Sequence, residues 1–180
     1  AVRADLADGA VPATTFGLVT EALRRRRDRG VTPFTVASCD NIQGNGDVAH
    51  RMFTAFARLK DPGLAAWIEE HVPFPNSMVD RITPVTTDED RATVAERFGV
   101  DDAWPVVAEP FTQWVIEDRF AGPRPPWEAA GATFTADVAP WERAKLRMLN
   151  GTHSLLAYAG RLAGHATLAE AVTDPGLRAR

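Results

Sequence analysis

TPFTVASCDNIQGNGDVAHRMFTAFARL, residues 32–59, is the stretch that decides the fold of this chain. Its first part, 32–39, is rich in β-branched and aromatic residues, a composition that predicts a buried strand. A polar loop follows, and in 47–59 the apolar side chains recur at helical spacing. A strand that leads through a loop into an amphipathic helix is typical of α/β domains, so we expect one here.

The rest of the chain continues this alternation only as far as residue 139. The pattern predicts further helices at 14–29, 62–70 and 86–99, further strands at 105–110 and 132–138, and a loop with short extended pieces at 72–84. After residue 139 only helices are predicted, from Pro140 to about Gly164 and again near 167–172. The expected fold is α/β followed by α. The last helices are too few to bury their own apolar faces, which predicts an internal piece of a longer protein.

The composition restricts the functional classes. A net charge of −4 without a basic tail argues against nucleic acid as a partner. No apolar run approaches 18 residues, which argues against a membrane span. The single cysteine, Cys39, excludes an internal disulfide and a cysteine-based zinc site. We therefore expect a cytoplasmic protein whose chemistry needs no metal.

The loop GNGDVA, 44–49, matches the dinucleotide pattern G-x-G-x-x-A between a predicted strand and a predicted helix. Two observations disfavour that interpretation: four residues separate the strand from the first glycine, and no second strand ending in an acidic residue follows. The alternative is an ordinary helix start, with Asn45 or Asp47 near the cap.

The segment KLRMLNGTH, 145–153, places polar groups on a leucine-rich helix face. At about 100° per residue, Lys145, Asn150 and His153 lie within roughly 140° of one another, in the same arc as two leucines. One interpretation is a satisfied core amide and imidazole with a lysine at the edge. The other is a pocket wall, in which a desolvated lysine serves as a general base and the asparagine holds a developing alkoxide. Only two of the 20 basic residues are lysines, and lysine can lose its proton where arginine cannot, which mildly favours the pocket.

Four stretches together resemble the mannitol dehydrogenase family of polyol-specific long-chain dehydrogenases. They are SCDN (38–41), FPNSMVDRITP (74–84), EPFTQWVIEDRF (109–120) and KLRMLNGTHS (145–154), in the order the family has them. The resemblance implies an oxidoreductase that uses NAD or NADP, needs no metal, and interconverts a sugar alcohol and its ketose, as with mannitol and fructose. It also implies that 1–139 is the C-terminal portion of a Rossmann-like cofactor domain and that 140–180 begins an all-α substrate domain.

The resemblance also assigns roles to individual residues. Lys145 corresponds to the general base, and Asn150 and Asn41 correspond to the groups that hold the reacting oxygen. His153 corresponds to a residue that contacts the substrate. Two further positions are implied more loosely: Glu142 in a proton relay to solvent, and Asp80 in substrate binding or in a structural contact with Arg81 or a helix end.

Two alternatives remain open. A fructuronate (hexuronate) reductase of the same family would need an additional cation for the substrate carboxylate. The chain could instead be a non-catalytic fragment, because the family's Gly-rich, dinucleotide-binding half has no counterpart in these residues. The resemblance therefore implies a partnership with the remainder of the same chain, and we expect the 180-residue piece alone to be inactive.

Overall fold

The structure, a computed structural model, describes residues 1–179 and divides the chain into two compact units. The first runs from Ala1 to Ala136, and the second begins at Asp137. The elements of the first unit are α1 (Thr15–Asp28), α2 (Asn45–Lys60), α3 (Pro62–His71), β1 (Ser77–Asp80), α4 (Asp88–Phe98), β2 (Gln113–Glu117) and β3 (Thr133–Thr135), with short 3-10 turns at Ala4–Leu6 and Trp127–Ala130.

The helix ends in the first unit follow from local capping chemistry. The Thr14 side chain accepts a hydrogen bond from a first-turn N–H of α1, and Asp61 does the same for α3. At α4, Thr87 and Asp90 form a reciprocal capping box, and the helix stops at Gly99, whose φ of 65° suits glycine. These ends confirm the predicted helices at 14–29, 62–70 and 86–99 to within two residues.

One apolar cluster holds α1, α2 and α3 together. Its centre is Leu23 of α1, Phe53 and Ala57 of α2, and Leu64 and Ile68 of α3. Leu23, Ala57 and Ile68 are fully buried, so their apolar surface is removed from water on folding. The same helix, α2, carries the loop 38–44 at its N-terminal end and thereby positions it.

A three-stranded mixed sheet in the order β1-β2-β3 completes the first unit. β1 and β2 are antiparallel, with Ser77 opposite Ile116, and β2 and β3 are parallel, with Ile116 opposite Phe134. Val115 and Ile116 are fully buried in the central strand. The sheet therefore brings FPNSMVDRITP and EPFTQWVIEDRF side by side.

The predicted strands need correction. Among the described residues, 32–39 and 105–110 form no strand, and the strand predicted at 132–138 shortens to Thr133–Thr135. Val36 does donate a backbone hydrogen bond to Pro73 O (3.1 Å), but no ladder develops. The strand β2 was not predicted at all. The pattern of side chains along a sequence indicates which residues are buried. A strand, however, forms only where a neighbouring segment supplies N–H and C=O groups for pairing, and the pattern does not identify that neighbour.

The second unit is helical, as predicted. Its elements are α5 (Ala139–Ala144), a π-helical turn (Lys145–Asn150), α6 (Gly151–Leu162), α7 (Leu168–Thr173) and α8 (Pro175–Arg178). Thr167 and Glu170 form a capping box at the start of α7. The π-helical turn was not predicted, because the apolar pattern of 140–164 fits an ordinary α-helix. Within residues 1–179, no helix is both long and apolar enough to cross a bilayer.

Candidate active site

The π-helical turn aligns Lys145 with Asn150. Its backbone hydrogen bonds step over five residues, as shown by Gly151, whose N–H donates to Leu146 O at the end of the turn. In such a turn the residue five positions on lies nearest, one turn above. Lys145 and Asn150 are five positions apart, so they stand in one row rather than about 140° apart, as an α-helix would place them.

His153 continues this row. It lies three residues after Asn150, and in the α-helical geometry of α6 that spacing puts both on one face. The adjacent Ser154 hydroxyl donates to Asn150 O (2.9 Å), which ties the end of the π-helical turn to the first turn of α6. The spacing K-x-x-x-x-N-x-x-H thus matches five residues across the π-helical turn followed by three residues along the α-helix.

The row formed by Lys145, Asn150 and His153 lies largely at the surface of the second unit. Asn150 and His153 are exposed, and Leu146 and Leu149 are 54% and 51% exposed. Lys145 is half-buried. Asn150 and His153 are therefore not buried core residues of the second unit taken by itself. The burial expected for the leucine-rich face is also absent within this unit.

Glu142 lies one turn before Lys145, at the end of α5. The Lys145 backbone N–H donates to Glu142 O, so the two residues are joined through the main chain. Both side chains are half-buried. Glu142, Lys145, Asn150 and His153 therefore all belong to the second unit, on the continuous helical segment from α5 to α6.

Asn41 and Asp80 belong to the first unit. Asn41 is exposed in the loop before α2. Its backbone N–H donates a hydrogen bond to Asp40 Oδ1 (2.8 Å). Asp80 is half-buried at the end of β1, opposite Gln113. The suggested pairing partner Arg81 donates through Nε to Glu109 O (3.0 Å), which joins the second and third family stretches.

A buried polar network beneath these loops was missed by the sequence interpretation. Asn76 N–H donates to Glu117 Oε2 (3.0 Å), and the Asn76 side chain contacts both Asp47 and Glu117. Arg119 donates to Glu117 Oε2 (2.8 Å) and to Phe74 O (3.1 Å). Glu117 is only 7% exposed, so this carboxylate is stabilised by several donors at once. The sequence did point to these residues, because four of them lie in the stretches that resemble the family.

The glycines of the loop 44–49 serve packing. Gly44, with φ 62°, takes the left-handed conformation just before α2. A Cβ on Gly46 would lie 2.5 Å from Pro75 O and 2.6 Å from Phe74 O. The main chain of Phe74 and Pro75 therefore packs directly against Gly46, where a side chain would not fit. Gly44 is the N-cap residue of α2, and Asn45 and Asp47 lie in its first turn, which agrees with the helix-start interpretation.

Metal ligation has no candidate group in the part of the chain that the structure describes. No three His, Cys, Asp or Glu side chains of residues 1–179 come together in a way that could hold an ion.

Comparison with known proteins assigns the chain to a class. Residues 8–129 match the family model of the mannitol dehydrogenase Rossmann domain, and residues 137–180 match that of the mannitol dehydrogenase C-terminal domain. Both belong to one kind of dehydrogenase, which confirms the predicted fold class of a Rossmann-like part followed by helices. The chain belongs to the mannitol dehydrogenase family, as its four stretches predicted.

Individual relatives show the range of this family. The chain is 50% identical over 177 residues to D-mannonate oxidoreductase of Escherichia coli, covering 98% of this chain and 36% of the relative. It is 51% identical over 178 residues to polyol:NADP oxidoreductase of Gluconobacter oxydans, covering 99% and 37%. A solved ternary complex of Pseudomonas fluorescens mannitol 2-dehydrogenase with NAD and D-mannitol is 48% identical, with a TM-score of 0.79 and coverages of 99% and 36%. The chain thus spans little more than a third of each relative's length.

Proposed function

We propose that this chain is part of an oxidoreductase that interconverts a sugar alcohol and its ketose, with a nicotinamide cofactor, NAD or NADP, as the hydride carrier. The observation that carries the proposal is the row formed by Lys145, Asn150 and His153 across the π-helical turn, in a chain of the mannitol dehydrogenase family. A base and two hydrogen-bonding groups in one row suit the removal of an alcohol proton.

The chemistry of these side chains supports a specific division of roles. The Lys145 amine, in its neutral form, accepts the hydroxyl proton of the alcohol, and in the reverse direction its ammonium form returns it. Asn150 donates a hydrogen bond to the alkoxide that develops, and we propose that Asn41 does the same. His153 contacts a substrate hydroxyl. We assign Glu142 to proton exchange with solvent and Asp80 to substrate binding.

Cofactor phosphates are assigned to no residue of this chain, because the chain spans little more than a third of its relatives and the family's Gly-rich half has no counterpart in it. We propose that the remainder of the same chain supplies that site. In this arrangement 1–139 forms the C-terminal portion of the cofactor domain and 140–180 forms the start of the substrate domain. Neither a metal nor a nucleic acid takes part in the proposed reaction.

A second candidate, reduction of a hexuronate such as fructuronate, is favoured by the 50% identity to D-mannonate oxidoreductase. The two candidates differ by a carboxylate on the substrate, which requires a cation in the pocket. The experiment compares the full-length protein with fructose and with fructuronate, each with NADH and with NADPH. A higher kcat/KM for fructose supports the polyol reaction, and a higher value for fructuronate contradicts it.

The same assay separates an enzyme from a non-catalytic fragment. The 180-residue chain alone is expected to give no turnover with fructose and NADH, because it spans little more than a third of its relatives and the family's Gly-rich, dinucleotide-binding half has no counterpart in it. Clear turnover by this piece would contradict that expectation. No turnover by the full-length protein with any polyol, ketose or uronate pair would contradict the proposed function itself.

A further inference from the structure

The side chain of Asn45 is a buried amide whose hydrogen-bonding groups are all engaged. It is 1% exposed, at the first position of α2. Nδ2 donates to Asp40 O (2.7 Å) and Ser77 O (2.9 Å), and it contacts Ser38 O and the Ser77 hydroxyl at 3.2 Å. Oδ1 accepts from Ser77 N–H (2.9 Å). A buried amide that is satisfied at both ends forms a rigid connection, since releasing any contact would leave a polar group without water.

Asn45 acts on the peptide unit that carries Asn41. The carbonyl oxygen of this unit belongs to Asp40 and accepts from Asn45 Nδ2. The N–H of the same unit belongs to Asn41 and donates to Asp40 Oδ1. Both polar groups of the Asp40–Asn41 peptide are therefore held, and the backbone that orients the exposed Asn41 side chain has little freedom to rotate.

The same amide joins this loop to β1. The backbone N–H and carbonyl oxygen of Ser77 both form hydrogen bonds with the Asn45 side chain. The Ser77 hydroxyl donates to Ser38 O (2.7 Å). Ser77 begins the strand that ends at Asp80. The loop that carries Asn41 and the strand that carries Asp80 are thus fixed to each other by one side chain from the start of α2.

We infer that Asn45 is a positioning residue: through the Asp40–Asn41 peptide it holds the Asn41 carboxamide in place for the reacting oxygen. The inference rests on the proposed function, in which Asn41 stabilises the alkoxide. Misplacement of such a donor by about 1 Å costs on the order of 100-fold in rate, so the loss of this support is expected to lower kcat.

The test is a double-mutant cycle in the full-length protein, with Asn45→Ala, Asn41→Ala and the two combined. Asn45→Ala is expected to lower kcat by about 10- to 100-fold, with the KM for the nicotinamide cofactor nearly unchanged. If Asn45 acts through Asn41, the combined variant is no slower than Asn41→Ala alone. Thr54→Val is the matched control: Thr54 is buried on the same helix, its hydroxyl has no hydrogen-bond partner among residues 1–179, and this variant is expected to keep normal kcat.

Each outcome of the double-mutant cycle supports or overturns the positioning role of Asn45. Losses that multiply in the combined variant, or a normal kcat for Asn45→Ala beside an impaired Asn41→Ala, overturn the inference and leave the proposed function standing. A normal kcat for Asn41→Ala removes the role of Asn41 and the inference together. If Asn45→Ala fails to fold, Asn45→Asp, which removes the Nδ2 donor to Asp40 O and keeps the Oδ1 acceptor for Ser77 N–H, enters the same cycle. A loss in kcat that disappears in the Asn41→Ala background supports the inference, and no loss or a persistent loss contradicts it.

Discussion

Replacing Gly46 by alanine tests the close packing beneath the candidate site. The added Cβ would lie 2.5 Å from Pro75 O and 2.6 Å from Phe74 O, whereas ordinary contacts begin near 3.4 Å. The neighbours would have to move by almost an ångström, and both are main-chain atoms. Phe74 O also accepts a hydrogen bond from Arg119 (3.1 Å), which restrains that movement. Such overpacking costs about 3 kcal/mol, at the upper end of the usual range.

A second effect opposes the first. Alanine is about 1 kcal/mol more favourable than glycine inside a helix, and Gly46 is the second residue of α2. The steric term is larger, so we expect Gly46→Ala to lower the free energy of unfolding by about 2 kcal/mol. The assay is urea unfolding of the chain, followed by tryptophan fluorescence. With a slope of about 2 kcal/mol per molar urea, the midpoint falls by about 1 M.

Gly63→Ala is the matched control, because Gly63 is the second residue of α3. There the added Cβ would meet only Asp61 Oδ1 at 3.2 Å, a side-chain atom that can adjust. The same helix-propensity term applies there without a steric cost from main-chain atoms, so we expect the free energy of unfolding to stay unchanged or to rise by up to about 1 kcal/mol. Equal midpoints for the two variants, or a stabilised Gly46→Ala, would refute the packing argument.

A further prediction concerns pH. The hydrogen bond from Arg24 lowers the pKa of Glu21 to about 2, so this carboxylate stabilises the folded state above its usual pKa and the stabilisation is lost as the pH falls from about 5 toward 2. In the Glu21→Gln variant, the free energy of unfolding should change less with pH over that window, by at most about 1 kcal/mol. A pH dependence equal to that of the unsubstituted protein would contradict the pairing.

The helices and the family could be predicted because their signals are local. Thr87 before an acidic turn and Gly99 after it define α4 without any tertiary information. The strands were harder to predict. Residues 32–39 have a strand's composition but gain a single backbone bond to Pro73 from the segment beside them, whereas β2 lies between two partners that no sequence pattern identifies.

The site was predictable in its residue types but not in its geometry. The spacing of Lys145, Asn150 and His153 suggested a shared face, yet the π-helical turn that brings the first two into one row has the same apolar pattern as an α-helix. Asn45 and Glu117 were missed as site supports because their partners lie far away in sequence. The Asn45 amide meets Ser77 across 32 positions, and Glu117 meets Asn76 across 41.

The most direct test of the account is the turnover of Lys145→Met in the full-length protein. If Lys145 is the base, kcat for polyol oxidation should fall by about 100- to 10,000-fold, with cofactor binding, measured by fluorescence titration, unchanged. Lys60→Met is the matched control: Lys60, the only other lysine, donates to Asp5 O (2.6 Å), and this variant should keep near-normal kcat. A Lys145→Met enzyme that turns over within about threefold of the unsubstituted protein would contradict the central claim.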